Sequence, residues 1–279
     1  MIVDTHAHLC DPAFDADRAS VLARAGAAGI VRVICVGEDL ADARKNLALA
    51  TEHREILPAA GLYPGRLEPR EAEALIELIR KEHRRLAAIG EVGLDHWIVK
   101  GAPEQKRLKQ TRPEQEPRAQ EPREQDEVPA LRERQRELFL RFVDLAIELD
   151  LPLNVHSRSA GRETIAALLD RGARRVQLHA FDGKAATALP AVEAGYFFSI
   201  PPSVVRSRQK QKLVGHLPLS SLLLESDSPT LGPQAGERNE PANTLLALKT
   251  VAEIKGLPEE QVAEVVAQNT DRLYRLHQD

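Results

Sequence analysis

Along this chain, short apolar runs alternate with longer stretches whose apolar residues recur every three or four positions. The short runs lie at residues 2–5, 30–36, 56–61, 86–91, 151–156, 175–179, 195–200 and 221–225. They are too short for helices and too continuously apolar for half-exposed strands, so they read as strands buried on both faces. Helical periodicity marks residues 17–28, 40–53, 70–83, 132–149, 161–171, 184–194 and 206–217, and stretches at 241–255 and 258–276 close the chain. Asp39 and Ser159 stand where N-caps belong, while Gly195 and Gly256 follow helical ends. Eight strands, each followed by a helix, predict an α/β fold of the (β/α)8 TIM-barrel type, with its chemistry at the carboxyl ends of the strands.

Ligand-type side chains fall at those ends. The first strand runs into Asp4-Thr5-His6-Ala7-His8, where residues i and i+2 project from one face with Cα atoms about 6.5–7 Å apart, so that two imidazoles can converge on one metal. Further strands deliver Glu91, His156, His179 and Asp227. A binuclear centre needs a group that touches both ions, and the two oxygens of Glu91 suit that role. His6, His8 and Asp227 then complete one ion, and His156 with His179 the other. Two cations about 3.5–4 Å apart activate a water and clamp the attacking and leaving oxygens of a displacement. Asp227 is placed to take the water's proton as general base. Residue type leaves the metal open among Zn, Mn, Mg and Fe.

One segment breaks the alternation. From about 100 to 130 the chain is dense in Glu, Gln, Arg, Lys and Pro. It is expected to be a mixed-charge insertion in one hydrolase domain spanning 1–279, either a solvated loop or a rim segment that contacts substrate. Its deletion is expected to leave folding nearly intact. Net charge is -4 with 43% hydrophobic residues, so the chain can bury a large core and any polyanion is bound locally rather than by a global field. The two cysteines, Cys10 and Cys35, read as reduced core thiols. No apolar run is long enough to cross a membrane, and a strand beginning at Ile2 leaves no room for a signal peptide; a cytoplasmic or, in a eukaryote, nuclear location is expected. No obligate protein partner is evident.

Five motifs in order, Asp4-Thr5-His6-Ala7-His8, Gly90-Glu91-Val92-Gly93-Leu94-Asp95, Asn154-Val155-His156-Ser157-Arg158, Leu178-His179-Ala180-Phe181 and Leu224-Glu225-Ser226-Asp227-Ser228-Pro229, resemble the series of the TatD family of metal-dependent deoxyribonucleases. The resemblance implies an amidohydrolase-like barrel, two divalent ions, DNA as substrate and hydrolysis of its phosphodiester bonds, as a 3′-to-5′ exonuclease or a repair phosphodiesterase. By match of motif it also implies ligand roles for His6, His8, Glu91, His156, His179 and Asp227. Two positions depart. Gly61-Leu62-Tyr63-Pro64 replaces a Gly-x-His-Pro found in many members, and Ser226 stands where threonine is usual. Tyr63 can donate to a phosphate oxygen but, with a pKa near 10, is a poor proton shuttle at pH 7.

Phosphate also calls for arginine forks. Arg158, two residues after His156, and Arg162, at the next helix start, are the candidates; Arg206, Arg208, Lys210 and Lys212 form a basic run that is either a backbone track or a solvated face. Arg238-Asn239-Glu240-Pro241 serves substrate contact or loop architecture, Glu225 orients a ligand or caps its strand, and Trp97 packs a loop or stacks a base. The same metal pair on this fold also serves amidohydrolases, lactonases and phosphotriesterases, though Glu91 occupies the place of a carbamylated lysine. A silent binding protein is the third class, and the full ligand set argues against it.

Overall fold

The computed structural model describes residues 2–99 and 127–276. Eight parallel strands, β1 (Ile2–Ala7), β2 (Ile30–Cys35), β3 (Ile56–Ala60), β4 (Ala88–Gly93), β5 (Leu153–His156), β6 (Val176–His179), β7 (Phe197–Ile200) and β8 (Leu222–Leu224), pair in sequence order. The Thr5 hydroxyl donates to the Leu224 carbonyl at 2.9 Å and the Asp227 amide to the His6 carbonyl at 2.8 Å, so β8 returns to β1 and the sheet curls into a nearly closed barrel. The helices are α1 (Arg18–Ala27), α2 (Leu40–Glu52), α3 (Pro69–Glu82), α4 (His96–Val99), α5 (Glu127–Leu149), α6 (Gly161–Asp170), α7 (Ala185–Glu193), α8 (Arg208–His216), α9 (Thr244–Lys255) and α10 (Glu259–Tyr274).

Local chemistry accounts for most boundaries. Asp39 caps α2, its carboxylate accepting from the Asp42 amide at 2.9 Å, and Gly256 ends α9 with φ +64°, a region that costs glycine nothing. Gly93 permits close pairing of β4 with β5, because a Cβ there would meet the His156 carbonyl oxygen at 2.0 Å.

Three expectations are corrected. Ser159 does not cap α6: it adopts φ +56°, its amide donates to Asp182, and Ala160 holds the cap position. The helix expected from 132 already includes the residues from Glu127 onward, Pro129 among them. The strand expected over 221–225 is only Leu222–Leu224, so Asp227 lies on a turn beyond it, at φ +53°. Residues 100–126 of the charged insertion lie outside the described residues. Among the described residues no helix is long and apolar enough to cross a membrane.

The barrel interior carries a polar floor. Tyr274, from α10, donates its buried hydroxyl to Gln177 Oε1; Gln177 donates to the Ser199 hydroxyl at 2.8 Å, and Asn154 to the Thr5 carbonyl at 2.8 Å. These bonds satisfy buried polar groups and fix the strand ends above them.

Candidate metal centre and its cavity

Six side chains converge above this floor. His6 lies on β1 and His8 just past its end; Glu91 is on β4, His156 ends β5, His179 ends β6, and the turn after β8 presents Asp227. That turn is laced to β1: Asp4 Oδ1 accepts from the Ser226 amide at 2.8 Å, and the His8 amide donates to the Ser228 carbonyl at 2.8 Å. Asn239 donates to the carbonyls of Ser226 and Thr230 at 2.7 and 2.8 Å, and Thr230 Oγ1 donates to Asp227 Oδ2 at 3.0 Å. The Ser226 hydroxyl is used within the same turn, toward the Ser228 hydroxyl at 2.9 Å.

Donor spacing tests whether this set fits a cation. Two atoms each about 2.1 Å from one tetrahedral ion lie about 3.4 Å apart. His6 Nε2 is 3.2 Å from His8 Nε2 and 3.5 Å from Asp227 Oδ1; His8 Nε2 is 3.6 Å from that oxygen and 3.3 Å from Glu91 Oε2. On the other side, Glu91 Oε1 lies 2.8 Å from His156 Nδ1 and 3.4 Å from His179 Nε2, and those two nitrogens are 3.0 Å apart. Thus one oxygen of Glu91 faces each group. Neither oxygen receives a well-aligned hydrogen bond although both are buried, which is the state of a group whose partner is an ion. The donors present fit divalent metal.

Neighbours aim the imidazoles. His6 Nδ1 contacts Asn154 Oδ1 at 2.8 Å, which leaves Nε2 for the cluster, and His156 Nε2 contacts Asp95 Oδ2 at 3.0 Å, which leaves Nδ1. His6 and His179 stack with centroids 3.8 Å apart. Ala180, next to His179, is gripped from both sides: its amide donates to Glu225 Oε1 at 2.8 Å and its carbonyl accepts from Lys210 Nζ at 2.9 Å. Glu225 therefore orients the His179 turn and also accepts from the Ser199 hydroxyl.

Electrostatics follow from burial and neighbours. Burial pushes Glu91 and Asp227 toward protonation, but the surrounding imidazoles, His156, His179 and His8 for the first and His6 and His8 for the second, hold both well below the usual carboxylate range. Burial disfavours charge on His8 and His156 too, yet Asp227 and Glu91 raise His8 well above its ordinary value, and Asp95 and Glu91 raise His156 to about 9. Burial and nearby His6 lower His179 to about 3, so its ring stays neutral, the form that ligates. Burial pushes Glu225 up to about 7.

A cavity of about 390 Å³ opens over Glu91, His156, His179 and Asp227. Arg158 lines it but not by the route expected: β5 stops at His156, and the guanidinium lies 3.7 Å over the centre of the Trp97 ring. Tyr63 lines it as well, with its hydroxyl donating to Asp95 Oδ2 at 2.9 Å rather than left for a phosphate. Arg162 is exposed on α6 and is not part of the lining. The basic run divides, with Arg206 and Lys210 on the cavity and Arg208 and Lys212 exposed elsewhere. Arg238 is architectural: it forms a two-pronged pair with Asp17, at 2.8 and 2.6 Å.

Sequence reading passed over Asn154, Asp95 and Glu38. Asn154 had a signal, a polar residue two positions before His156 inside an apolar strand. Glu38, just past β2, brings a carboxylate oxygen into one group with His8 and Glu91. It had no comparable signal, because it lies among ordinary loop residues.

Fold and cluster together define a metal-dependent barrel hydrolase. The chain belongs to the family described as TatD related DNase, whose profile matches residues 3–275. It is 41% identical to Deoxyribonuclease TATDN3 of Homo sapiens, over 98% of this chain and 94% of that one. It is also 28% identical to a metal-dependent hydrolase, YabD, of Bacillus subtilis, over 99% of this chain and 100% of that one. Among solved structures, the TatD homologue YJJV of Escherichia coli superposes with TM-score 0.82 at 26% identity, covering 99% of this chain and 98% of its own.

Proposed function

We propose that this chain is a deoxyribonuclease that hydrolyses phosphodiester bonds at a two-metal site, trimming DNA from a 3′ end or clearing damaged ends. The observation that carries the reading is Glu91, whose two oxygens face separate ligand groups, His6, His8 and Asp227 on one side and His156 and His179 on the other. Those six residues are the proposed ligands, and residues 1–279 the single hydrolase domain, interrupted by the insertion at about 100–130. Two divalent ions bound there supply Lewis-acid stabilisation of the charge that develops on phosphate oxygens and lower the pKa of water.

The chain's own residues supply the rest. Asp227 is ionised at neutral pH and steadied at Oδ2 by Thr230, so its carboxylate accepts the proton of the attacking water. Arg158 presents a planar cation to the phosphate, with Arg206 further out on the same cavity. Tyr63 acts through Asp95, forming the wall behind His156 and fixing its ring rather than moving a proton. Arg162, outside the lining, meets only a strand long enough to run past the cavity. At about 390 Å³ the cavity sits at the small end of the ~300–1,000 Å³ range of ligand pockets, a size for one nucleotide rather than a duplex.

The test is hydrolysis of end-labelled single- and double-stranded DNA by the metal-loaded protein and by Asp227→Ala. Stepwise loss of 3′ nucleotides that the substitution abolishes supports the reading. Intact DNA with every metal, alongside turnover of a small ester, lactone or amide, transfers the site to the small-molecule hydrolases.

A further inference from the structure

We infer that Trp97 and Arg158 form a nucleobase-stacking subsite, which receives the base of the nucleotide whose phosphodiester lies over the metal ligands. The inference rests on the nuclease reading above and goes beyond it by naming what binds the base.

The indole is anchored to the ligand scaffold. Trp97 lies on α4, directly after the strand that carries Glu91, and Asp95 Oδ1 accepts from the amides of Trp97 and Ile98 at 2.9 and 3.0 Å. The other oxygen of that carboxylate contacts His156. One side chain thus sets the indole turn and a ligand ring at a fixed separation. Arg158 is tied to the same helix, its carbonyl accepting from the His96 amide at 3.0 Å, while the following amide, of Ser159, donates to Asp182.

The chemistry of the pair suits a base. The guanidinium carbon lies 3.7 Å over the centre of the indole ring, and among the described residues Arg158 forms no ion pair with a carboxylate. Among the described residues its charge is met by the ring quadrupole of Trp97, which leaves N–H groups for an anionic ligand and a delocalised plane for a π system. Both residues line the same cavity as Glu91, His156, His179 and Asp227. That cavity therefore brings the metal-ligand cluster and a cationic π surface onto one lining, the two kinds of group that a nucleotide's phosphate and base require. Stacking reads no base edge, so all four bases are expected to bind, purines more tightly than pyrimidines because of their larger face.

The experiment uses the full chain as isolated with its metal. Trp97 is the sole tryptophan, so indole emission reports this subsite alone. Deoxyadenosine 5′-monophosphate, which has no diester to cleave, is titrated against deoxyribose 5-phosphate, which has no base. The expected result is saturable quenching by the nucleotide and weaker binding of the sugar phosphate. By calorimetry, Trp97→Ala is expected to weaken nucleotide binding by ~5- to ~150-fold, the range for loss of one base stack, and to leave the sugar phosphate unaffected. Trp97→Phe keeps a ring and restores most of the affinity, and Arg158→Lys, which keeps charge but loses the plane, falls between. These two also decide the matter if the alanine variant fails to fold. Equal binding of nucleotide and sugar phosphate, or unmoved indole emission while DNA is still trimmed, overturns the subsite and leaves the nuclease reading standing. Absence of both nucleotide binding and DNA trimming overturns both.

Discussion

Two charged clusters in this molecule are built on opposite terms. On the rim, Asp17, Arg24, Arg238 and Glu240 pair donor to acceptor: Arg238 grips Asp17, and Arg24 grips Glu240 at 2.6 Å, all partly solvated. Inside the barrel mouth, His6, His8, Glu91, His156, His179 and Asp227 crowd lone pairs against lone pairs, with His6 Nε2 facing His8 Nε2 and both Glu91 oxygens short of a proper donor. The rim cluster is complete as protein and ties the loop after β8 to α1. The interior one is completed only by cations or by protons. A buried cluster of acceptors is costly unless something positive joins it, so its persistence at the strand ends points to a metal.

The contrast is broken most severely at Glu91. Glu91→Ala removes the carboxylate that faces both donor groups, the proposed bridge, and hydrolysis is expected to fall by at least about 10³-fold, matching the several kcal/mol that metal ions supply, while circular dichroism stays native. Survival of activity within tenfold would remove Glu91 from the bridge.

Residues that only aim the ligands come next. Asp95→Asn and Asn154→Ala are each expected to weaken metal affinity or activity by about 10- to 100-fold, the usual cost of losing such support. Tyr63→Phe, one bond further out, is expected to cost less than Asp95→Asn. Metal titration of the three variants orders them, and a larger loss for Tyr63→Phe would instead give that hydroxyl a direct contact with substrate.

Protons sharpen the comparison. In the metal-free protein neighbouring carboxylates raise His156 to about 9 and His8 well above its ordinary value, so both carry protons at pH 7 that the proposed ligation would expel. Apparent metal affinity is expected to rise with pH below about 9, about tenfold per unit for each proton released, and calorimetry in buffers of different ionisation enthalpy counts those protons. The stability of the metal-free form runs the other way. A raised folded-state pKa stabilises fully below the unfolded value of 6.5 and loses that contribution as pH rises through about 9. Thermal melts in chelator are therefore expected to drop between those limits; a flat profile would contradict the protonated cluster.

The smallest effect belongs to the rim. Arg238→Ala is expected to leave metal content unchanged, and its modest stability loss to shrink at ~1 M salt, where exposed pairs are screened. A change in metal content would mean that the rim network sets the Asp227 turn.

How much of this was legible from the chain divides along physical lines. Continuous apolar runs exposed the strands, because a strand buried on both faces has no other composition, and ligand-type residues at their ends exposed the side chains that the fold brings into one cluster. Asp39 was readable as a cap because capping is local. Ser159 had the residue type of a cap, but it adopts φ +56° and its amide is turned to Asp182, which belongs to the β6–α7 loop. Arg158 was found for its charge, while its stacking on Trp97 depends on two loops whose separation no sequence spacing records. Tyr63 was seen as a departure, but its partner, Asp95, sits 32 positions away.

Metal content of the wild type and of Glu91→Ala, measured by elemental analysis after exhaustive dialysis, tests the central claim most directly. The account predicts two ions per wild-type chain and a loss of both in the variant, since each half of the centre leans on one oxygen of that carboxylate. A wild type without metal, or a variant that keeps its full complement, would contradict it.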